Sequence, residues 1–240
     1  FEKAPRLGGH AHTHAVTLGG QSWPVDTGFM VFNPGTYPNF IRLLDRLGIS
    51  SRESDMSFSV RCRKCQVQYS SVGLRGLFAQ RRRLASWTHW RMLADILRFF
   101  DLGRRALASG DADKGSLGEF LARGRFGTGL VRHFVLPMGA AIWSAPGADI
   151  RQFPAGSFLR FLDNHGLLRA TGQPVWRTIV GGSARYVTAL AERIGAGVRV
   201  STPVRTVVRD DTGVTIASEA GTAYRFDRVV IATHADQALA

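Results

Sequence analysis

The 240-residue sequence predicts an α/β fold with a helical middle, and three observations predict it. The last third, from "VGGSARYVTALAERI" onward, alternates helix and strand signals. The middle is apolar, basic and helical in period, and the opening carries a short strand pair around a Gly–Gly turn. Hydrophobic residues make up 45% of the chain and charged residues 20%, which suits a packed core and excludes a disordered chain.

Taken in order, "HAVTLGGQSWPVDTGFMVFN" reads as two strands around Gly19-Gly20, with Val16 and Leu18 alternating. In "YPNFIRLLDRLGI" the apolar positions Phe40, Leu43, Leu44 and Leu47 follow the i, i+3, i+4, i+7 rule of an amphipathic helix, which Gly48 closes. "MSFSVRCRKCQVQYSS" predicts a hairpin whose turn is the Cys62–Cys65 stretch. From Leu74 to Leu107 the chain turns helical, basic and aromatic. "SLGEFLARG" offers a capping box, Ser116 with Glu119 three residues on, and a helix behind it. The proline-punctuated stretch from Phe134 to Leu168 reads as helical pieces packed into a core. The final third gives a helix, two strands, an Asp210–Gly213 turn, a strand, and a last apolar strand over "RVVIAT", an α/β segment with a small antiparallel insert.

No stretch reaches the roughly 18–20 uninterrupted apolar residues of a membrane span. Two cysteines do not make a disulfide framework, so a reducing, cytoplasmic setting is expected, with the inner membrane face as a peripheral alternative. The net charge of +13 fits a polyanionic partner (nucleic acid, anionic lipid or a phosphorylated ligand) or simply a solvated arginine-rich surface. Arginine dominates, since Lys3, Lys64 and Lys114 are the only lysines.

The opening "FEKAPRLGGHAHTH" holds the densest chemistry. On a strand His10, His12 and His14 would share a face, but successive same-face side chains stand about 6–7 Å apart. That is too wide for three ligands on one ion, and no metal is expected there. A phosphate cradle fits better: a Gly pair lets backbone approach an anion, and Arg6 supplies charge. Glu2 is the residue type that binds ribose hydroxyls in dinucleotide folds.

Glu2 followed by Arg6-Leu7-Gly8-Gly9-His10-Ala11-His12-Thr13 resembles the E…R-x-G-G-R-x-x-S/T signature of the flavin-containing amine oxidase superfamily, with His10 in place of the usual Arg. "VDTGFMVFN", "IVGGSARYVTALAERI" and "GVRVSTPVRTVVRDDTGVTI…FDRVVIATHADQAL" are similar to three later segments of the same family, in the right order. "YPNFIRLLDRLGI", "PMGAAIWSAP" and "SFLRFLDNHGLL" narrow the resemblance to a bacterial branch of amine-oxidase-like, predicted NAD/FAD-binding proteins. Genes of that branch often neighbour those of cyclopropane-fatty-acid-synthase-like methyltransferases.

The resemblance implies an FAD-binding Rossmann-like domain of the glutathione-reductase type, discontinuous over 1–33 and 175–240, with an interleaved α+β substrate domain over 34–174. It implies FAD as cofactor, with Glu2 on the adenosine ribose and Arg6, Gly8, Gly9 and His10 along the pyrophosphate and ribityl path. Asp26, Gly28, Phe29, Met30 and Val31 would run beside the isoalloxazine, the Val204 backbone would meet the adenine, and Ala232 and Thr233 would pack near the cofactor. No G-x-G-x-x-G occurs in the chain, so the resemblance implies an internal fragment, inactive alone and weak in FAD binding. The implied chemistry is hydride transfer from a substrate C–H to flavin N5, on an amine or on a lipid or fatty-acyl chain to be desaturated. No catalytic side chain is nominated.

Three further stretches each leave alternatives. Cys62-Arg63-Lys64-Cys65 fits half a zinc knuckle, a redox pair or an incidental turn; His89, His133 and His165 lack a paired spacing with it, so the turn is expected and no metal. Residues 74–107 set eight arginines among Trp87, Trp90, Phe99 and Phe100, which suits either a helix covering a core or one lying on an anionic membrane. In "AAIWSAP" and "FLDNHGLL", Trp143, Asn164 and His165 are substrate-pocket candidates, while Asn164 or Gly166 could equally cap a helix. With no G-x-S-x-G elbow, a serine hydrolase is set aside. A small-molecule or lipid substrate is expected and no nucleic acid; the rival reading is a basic, non-enzymatic module that binds membrane or nucleic acid.

Overall fold

The computed structural model describes residues 1–239, with Gly147 and Ala148 by their backbone alone. Ala240, the last residue assigned to the cofactor domain, lies outside the described residues. The first half of the chain forms β1 (Thr13–Leu18), β2 (Gln21–Asp26), α1 (Pro38–Leu47), β3 (Ser51–Glu53), β4 (Ser59–Arg61), β5 (Gln68–Ser70), α2 (Gly73–Leu77), α3 (Trp87–Ser109) and α4 (Leu117–Arg123). Next come α5 (Thr128–Leu130), a π-helical stretch Val131–Val135, α6 (Leu136–Trp143), α7 (Gly147–Ile150) and α8 (Ala155–Asn164). The last part holds β6 (Arg177–Ile179), α9 (Ala184–Ile194), β7 (Val204–Asp210), β8 (Gly213–Ser218), β9 (Ala223–Phe226) and α10 (Ala235–Ala238).

Contacts divide the chain into two units: Phe1–Val31, Asn39–Arg52 and Thr178–Ala240 in the first, Phe32–Pro38 and Glu53–Arg177 in the second. Helix α1, grouped with the substrate domain by sequence, lies in the first unit. The Phe40 ring explains this, meeting Phe29 and Tyr186 edge-on at 5.2 Å each.

In the first unit β1 and β2 pair antiparallel from Thr13↔Asp26 to Leu18↔Gln21. Gly19 (φ 58°) and Gly20 (φ 78°) supply the left-handed pair that a tight hairpin needs. Strands β7, β8 and β9 form an antiparallel meander, the predicted insert. Val214, Ile216 and Ser218 on β8 are buried while their neighbours are less so, the period of two of a half-buried strand.

Two predicted strands do not form. Residues 198–203 run outside any strand, bent at Ser201 (φ 48°), and trade backbone hydrogen bonds with the N-terminal segment, Glu2 N donating to Arg199 O at 2.8 Å and Thr202 N to Glu2 O at 2.9 Å. Residues 228–233, the "RVVIAT" run, lie outside any strand, with Val230 89% and Ile231 54% exposed. An apolar run becomes an interior strand only with strands on both edges. Among the described residues none flanks this one.

The second unit is helical around Phe99, Leu117, Leu130, Ile150, Phe158, Leu159, Leu162 and Leu168, all fully buried. Gly103 lets α3 and α8 approach: a Cβ there would stand 3.0 Å from a Leu159 methyl. The capping box of α4 is formed in both directions, Glu119 N donating to Ser116 Oγ at 3.2 Å and Ser116 N to Glu119 Oε2 at 2.9 Å. The predicted helical run from Leu74 is interrupted between α2 and α3. There Gln80 is pinned to the β4–β5 hairpin, accepting from Gln68 N and donating to Gln66 O.

Candidate cofactor-binding site

The Gly-Gly loop and the Asp26–Val31 segment lie side by side in the first unit. Their pairing extends the β1–β2 hairpin: Thr27 N donates to His12 O at 3.0 Å and Phe29 N to His10 O at 2.9 Å. Gly28 is required by that approach, since a Cβ would fall 2.0 Å from His10 O. Gly8 (φ 110°) closes the loop, accepting from Ala11 N at 2.8 Å, and its Cβ would strike Ala11 O at 2.5 Å. Gly9 differs: at φ 53° it has no atom within 4 Å of where a Cβ would stand. Arg6 folds over the same turn, its Nη2 3.0 Å from Gly9 O.

Asp26 is placed in that segment, but its carboxylate is engaged on the start of α9. It accepts from Thr13 Oγ1 at 2.5 Å, from Ser183 Oγ at 2.8 Å, and from Ser183 N at 3.0 and 3.1 Å through its two oxygens. Thr13 Oγ1 in turn accepts from Ala184 N at 2.9 Å. Two strand residues thus satisfy the first N–H groups of a helix that has no side-chain cap of its own. Sequence reasoning placed Thr13 only as the end of the signature, with no role, and missed Ser183; a Ser directly behind Gly181-Gly182, just before a helical period, was the available signal. Burial, and then the Asp26 carboxylate, push the phenol of Tyr186 up from its ordinary value.

The other predicted contacts are spread over the same unit. Glu2 is half-buried and its Oε1 accepts from Ala4 N at 2.8 Å. Met30 is 52% exposed, and its carbonyl accepts from Thr178 Oγ1 at 2.9 Å; Val31 is half-buried beside it. Val204 opens β7 opposite Ser218. Ala232 and Thr233 lie on the exposed chain leading to His234, whose ring stands 5.2 Å from that of His10. His12 and His14 pair with each other at 3.9 Å, so the three histidines do not converge.

The substrate-pocket candidates lie in the second unit. Trp143 packs against Phe153, Phe158 and Phe161 at 5.0–5.2 Å. His165 stacks on Phe161 at 4.1 Å, with Nδ1 2.8 Å from Phe161 O and Nε2 3.4 Å from Tyr37 Oη. Trp143 and His165 therefore share one aromatic cluster through Phe161. Asn164 ends α8, exposed, its carbonyl accepting from Thr36 Oγ1 at 3.0 Å.

The loop suits a dinucleotide: Arg6 puts a guanidinium on the same turn, and among the described residues no atom stands within 4 Å of where a Gly9 Cβ would be. Among solved structures, putrescine oxidase bound to putrescine matches at TM-score 0.68 and 20% identity, over 95% of this chain and 50% of that one. Cyclohexylamine oxidase from Brevibacterium oxydans IH-35A matches at 0.64 and 16%, over 93% and 49%. The CLA-producing fatty acid isomerase from P. acnes matches at 0.55 and 14%, over 99% and 53%. The chain thus has the α/β fold of FAD-binding amine oxidases and spans about half the length of these structures. No curated protein matches it by sequence. The family model for flavin containing amine oxidoreductases matches residues 1–239, and the chain belongs to that family, whose cofactor is FAD.

Proposed function

We propose that the protein is an FAD-dependent oxidoreductase acting on a C–H bond of an amine or of a lipid or fatty-acyl chain. When bound, FAD supplies the hydride acceptor at N5. The observation that carries the reading is the backbone pairing of His10–His12 with Thr27–Phe29, which sets two family segments in one wall. In this reading Arg6, Gly8, Gly9 and His10 follow the pyrophosphate and ribityl chain, and Glu2 takes the adenosine ribose. Gly28, Phe29, Met30 and Val31 flank the ring system, with Asp26 holding the wall to α9. The Val204 backbone meets the adenine, and Ala232 and Thr233 close the far side.

Trp143, Asn164 and His165 are assigned to the substrate side. His165 meets Phe161 O through Nδ1 and Tyr37 Oη through Nε2, contacts that fix the orientation of its ring. Both substrate classes have support among similar folds, amines from the two oxidases and a fatty acid from the isomerase. A lipid substrate also suits the surface around α2 and the start of α3. There Val72, Leu74, Leu84 and Trp87 are 54–77% exposed beside Arg75, Arg81 and Arg82. No described helix is long and apolar enough to cross a membrane, so contact there would be peripheral.

The visible spectrum of the protein expressed at the natural length of its gene tests the oxidoreductase reading. Flavin bands are expected as isolated or after incubation with FAD; a colourless protein that FAD does not reconstitute refutes it. Flotation with anionic vesicles tests the membrane contact. Trp87→Ser with Leu74→Ser is expected to reduce flotation at least about threefold, and unchanged flotation refutes it.

A further inference from the structure

Cys62 and Cys65 stand at the tip of the β4–β5 hairpin, and the fold brings them a partner that sequence spacing did not offer. The tip is tightly made: Cys62 N donates to Val67 O at 2.8 Å and Gln66 N to Cys62 O at 2.9 Å. Gln66, directly after the second cysteine, takes the left-handed conformation at φ 56°. That turn aims the backbone N–H groups of Cys65 and Lys64 at the Cys62 sulfur.

The partner is His133. It lies in the π-helical stretch Val131–Val135, where one added residue in the turn re-aims the side chains that follow. Tyr69 on the hairpin fixes this turn, its Oη donating to His133 O at 2.6 Å. His133 Nε2 stands 3.4 Å from Cys65 Sγ, and the ligand atoms of Cys62, Cys65 and His133 all lie within 4.8 Å of one another. His133 Nδ1 is buried with no hydrogen-bond partner, which leaves Nε2 as the ring atom that faces the cysteines.

These separations suit a tetrahedral ion. Zinc with sulfur at about 2.3 Å and imidazole nitrogen at about 2.0–2.1 Å spaces its ligands about 3.8 Å (S to S) and about 3.5 Å (S to N). The neighbouring polar groups are already engaged: His89 Nε2 on Leu77 O at 3.0 Å, and Asp95 on Gly127 N at 3.0 Å and Arg98 at 3.1 Å. A cavity of about 700 Å³, which Cys62, Cys65 and His133 help to line, leaves room for solvent.

We propose that Cys62, Cys65 and His133 form a binding site for a zinc-class divalent cation, with a water from the cavity as fourth ligand. Binding releases the two thiol protons and changes no oxidation state. Two thiolates balance the dication, and Lys64, Arg83 and Arg132 line the same cavity. The donor set holds no carboxylate, which selects against magnesium and calcium.

The test uses the full chain, purified under reducing conditions without chelator, with zinc and cobalt(II) as probes. One equivalent of cobalt is expected to give the ligand-field bands of a tetrahedral thiolate site, at the red end beyond flavin absorption, and one equivalent of zinc to abolish them. Cys65→Ser and His133→Ala are each expected to weaken zinc binding at least about tenfold. Cys65 is exposed, so its variant isolates ligation from packing, and far-ultraviolet circular dichroism checks the fold of both. Absence of the cobalt bands, bands that survive either substitution, or thiol titration showing a Cys62–Cys65 disulfide under those conditions would each overturn the proposal.

Discussion

Replacing Asp26 by Ala removes the acceptor that holds the N-terminus of α9 to the hairpin. The Ser183 backbone N–H loses its partner, its hydroxyl keeps only the 3.4 Å contact with Thr13 Oγ1, and Ser183 is 0% exposed, so water cannot substitute without local opening. An unmet buried donor costs about 1–3 kcal/mol, and a lost helix cap typically about 1 kcal/mol. These overlap, because the Ser183 N–H is both, and local opening should become easier by about 2–3 kcal/mol. At about 1.4 kcal/mol per decade, amide hydrogen exchange over residues 182–186 should quicken about 30- to 140-fold. Asp26→Asn keeps one carbonyl oxygen, and the loss should fall to about 1–1.5 kcal/mol, or roughly 5- to 12-fold. Peptide-resolved exchange mass spectrometry reads both, with residues 155–164 of α8 as an internal control. Acceleration below about threefold in Asp26→Ala would refute the assignment of the carboxylate as the clamp.

The glycine loop separates two kinds of constraint: Gly8→Ala meets Ala11 O at 2.5 Å and should lower the flavin content of the purified protein severalfold. Gly9→Ala meets no protein atom and should cost the fold only the left-handed strain of about 1–2 kcal/mol. Its methyl would stand where the pyrophosphate is proposed to approach, so flavin content should fall while stability is largely kept, as absorbance and urea denaturation will show. Arg225 beside Asp210, with Thr212 donors, holds that carboxyl well below its ordinary value. The folded value lies below the unfolded one, so its contribution is present above the usual carboxylate range and lost as pH falls through the depressed value. Arg225→Gln should therefore move the NMR titration of Asp210 upward and bring acid loosening of the β7–β9 meander to higher pH. Tyr69→Phe leaves His133 O without its donor and should destabilise the second unit by about 1–2 kcal/mol, measured by urea denaturation.

Local signals survived folding where short-range chemistry decides the outcome. Phe40, Leu43, Leu44 and Leu47 announce α1, Ser116 and Glu119 announce the start of α4, and Gly19-Gly20 announces the β1–β2 turn. What sequence could not show depends on neighbours far along the chain. The "RVVIAT" run reads as an interior strand from its own composition, yet strand formation requires flanking strands that the described residues do not supply. His133 lies 68 residues from Cys65 and reaches it through a π-helical turn, which no spacing rule encodes. Asp26 shows the same limit within the candidate site: its position in the family segment was legible, but its partner Ser183 was not.

The bond between Asp26 and Ser183 spans 157 positions, and the whole of the second unit lies between them in the chain. Closing so long a flexible loop costs about 4.5 kcal/mol of chain entropy. Within the second unit, however, Ser54 N already donates to Trp176 O at 2.9 Å, so that unit's own folding joins the two ends of its insertion. The effective loop then shrinks to roughly 35 residues and the closure cost falls by about 1.3 kcal/mol. Prior folding of the inserted unit would therefore act as a splint, easing the joining of the discontinuous unit's two halves by that amount. A lesion in the buried helical core would thus slow completion of the cofactor wall without touching any residue in it.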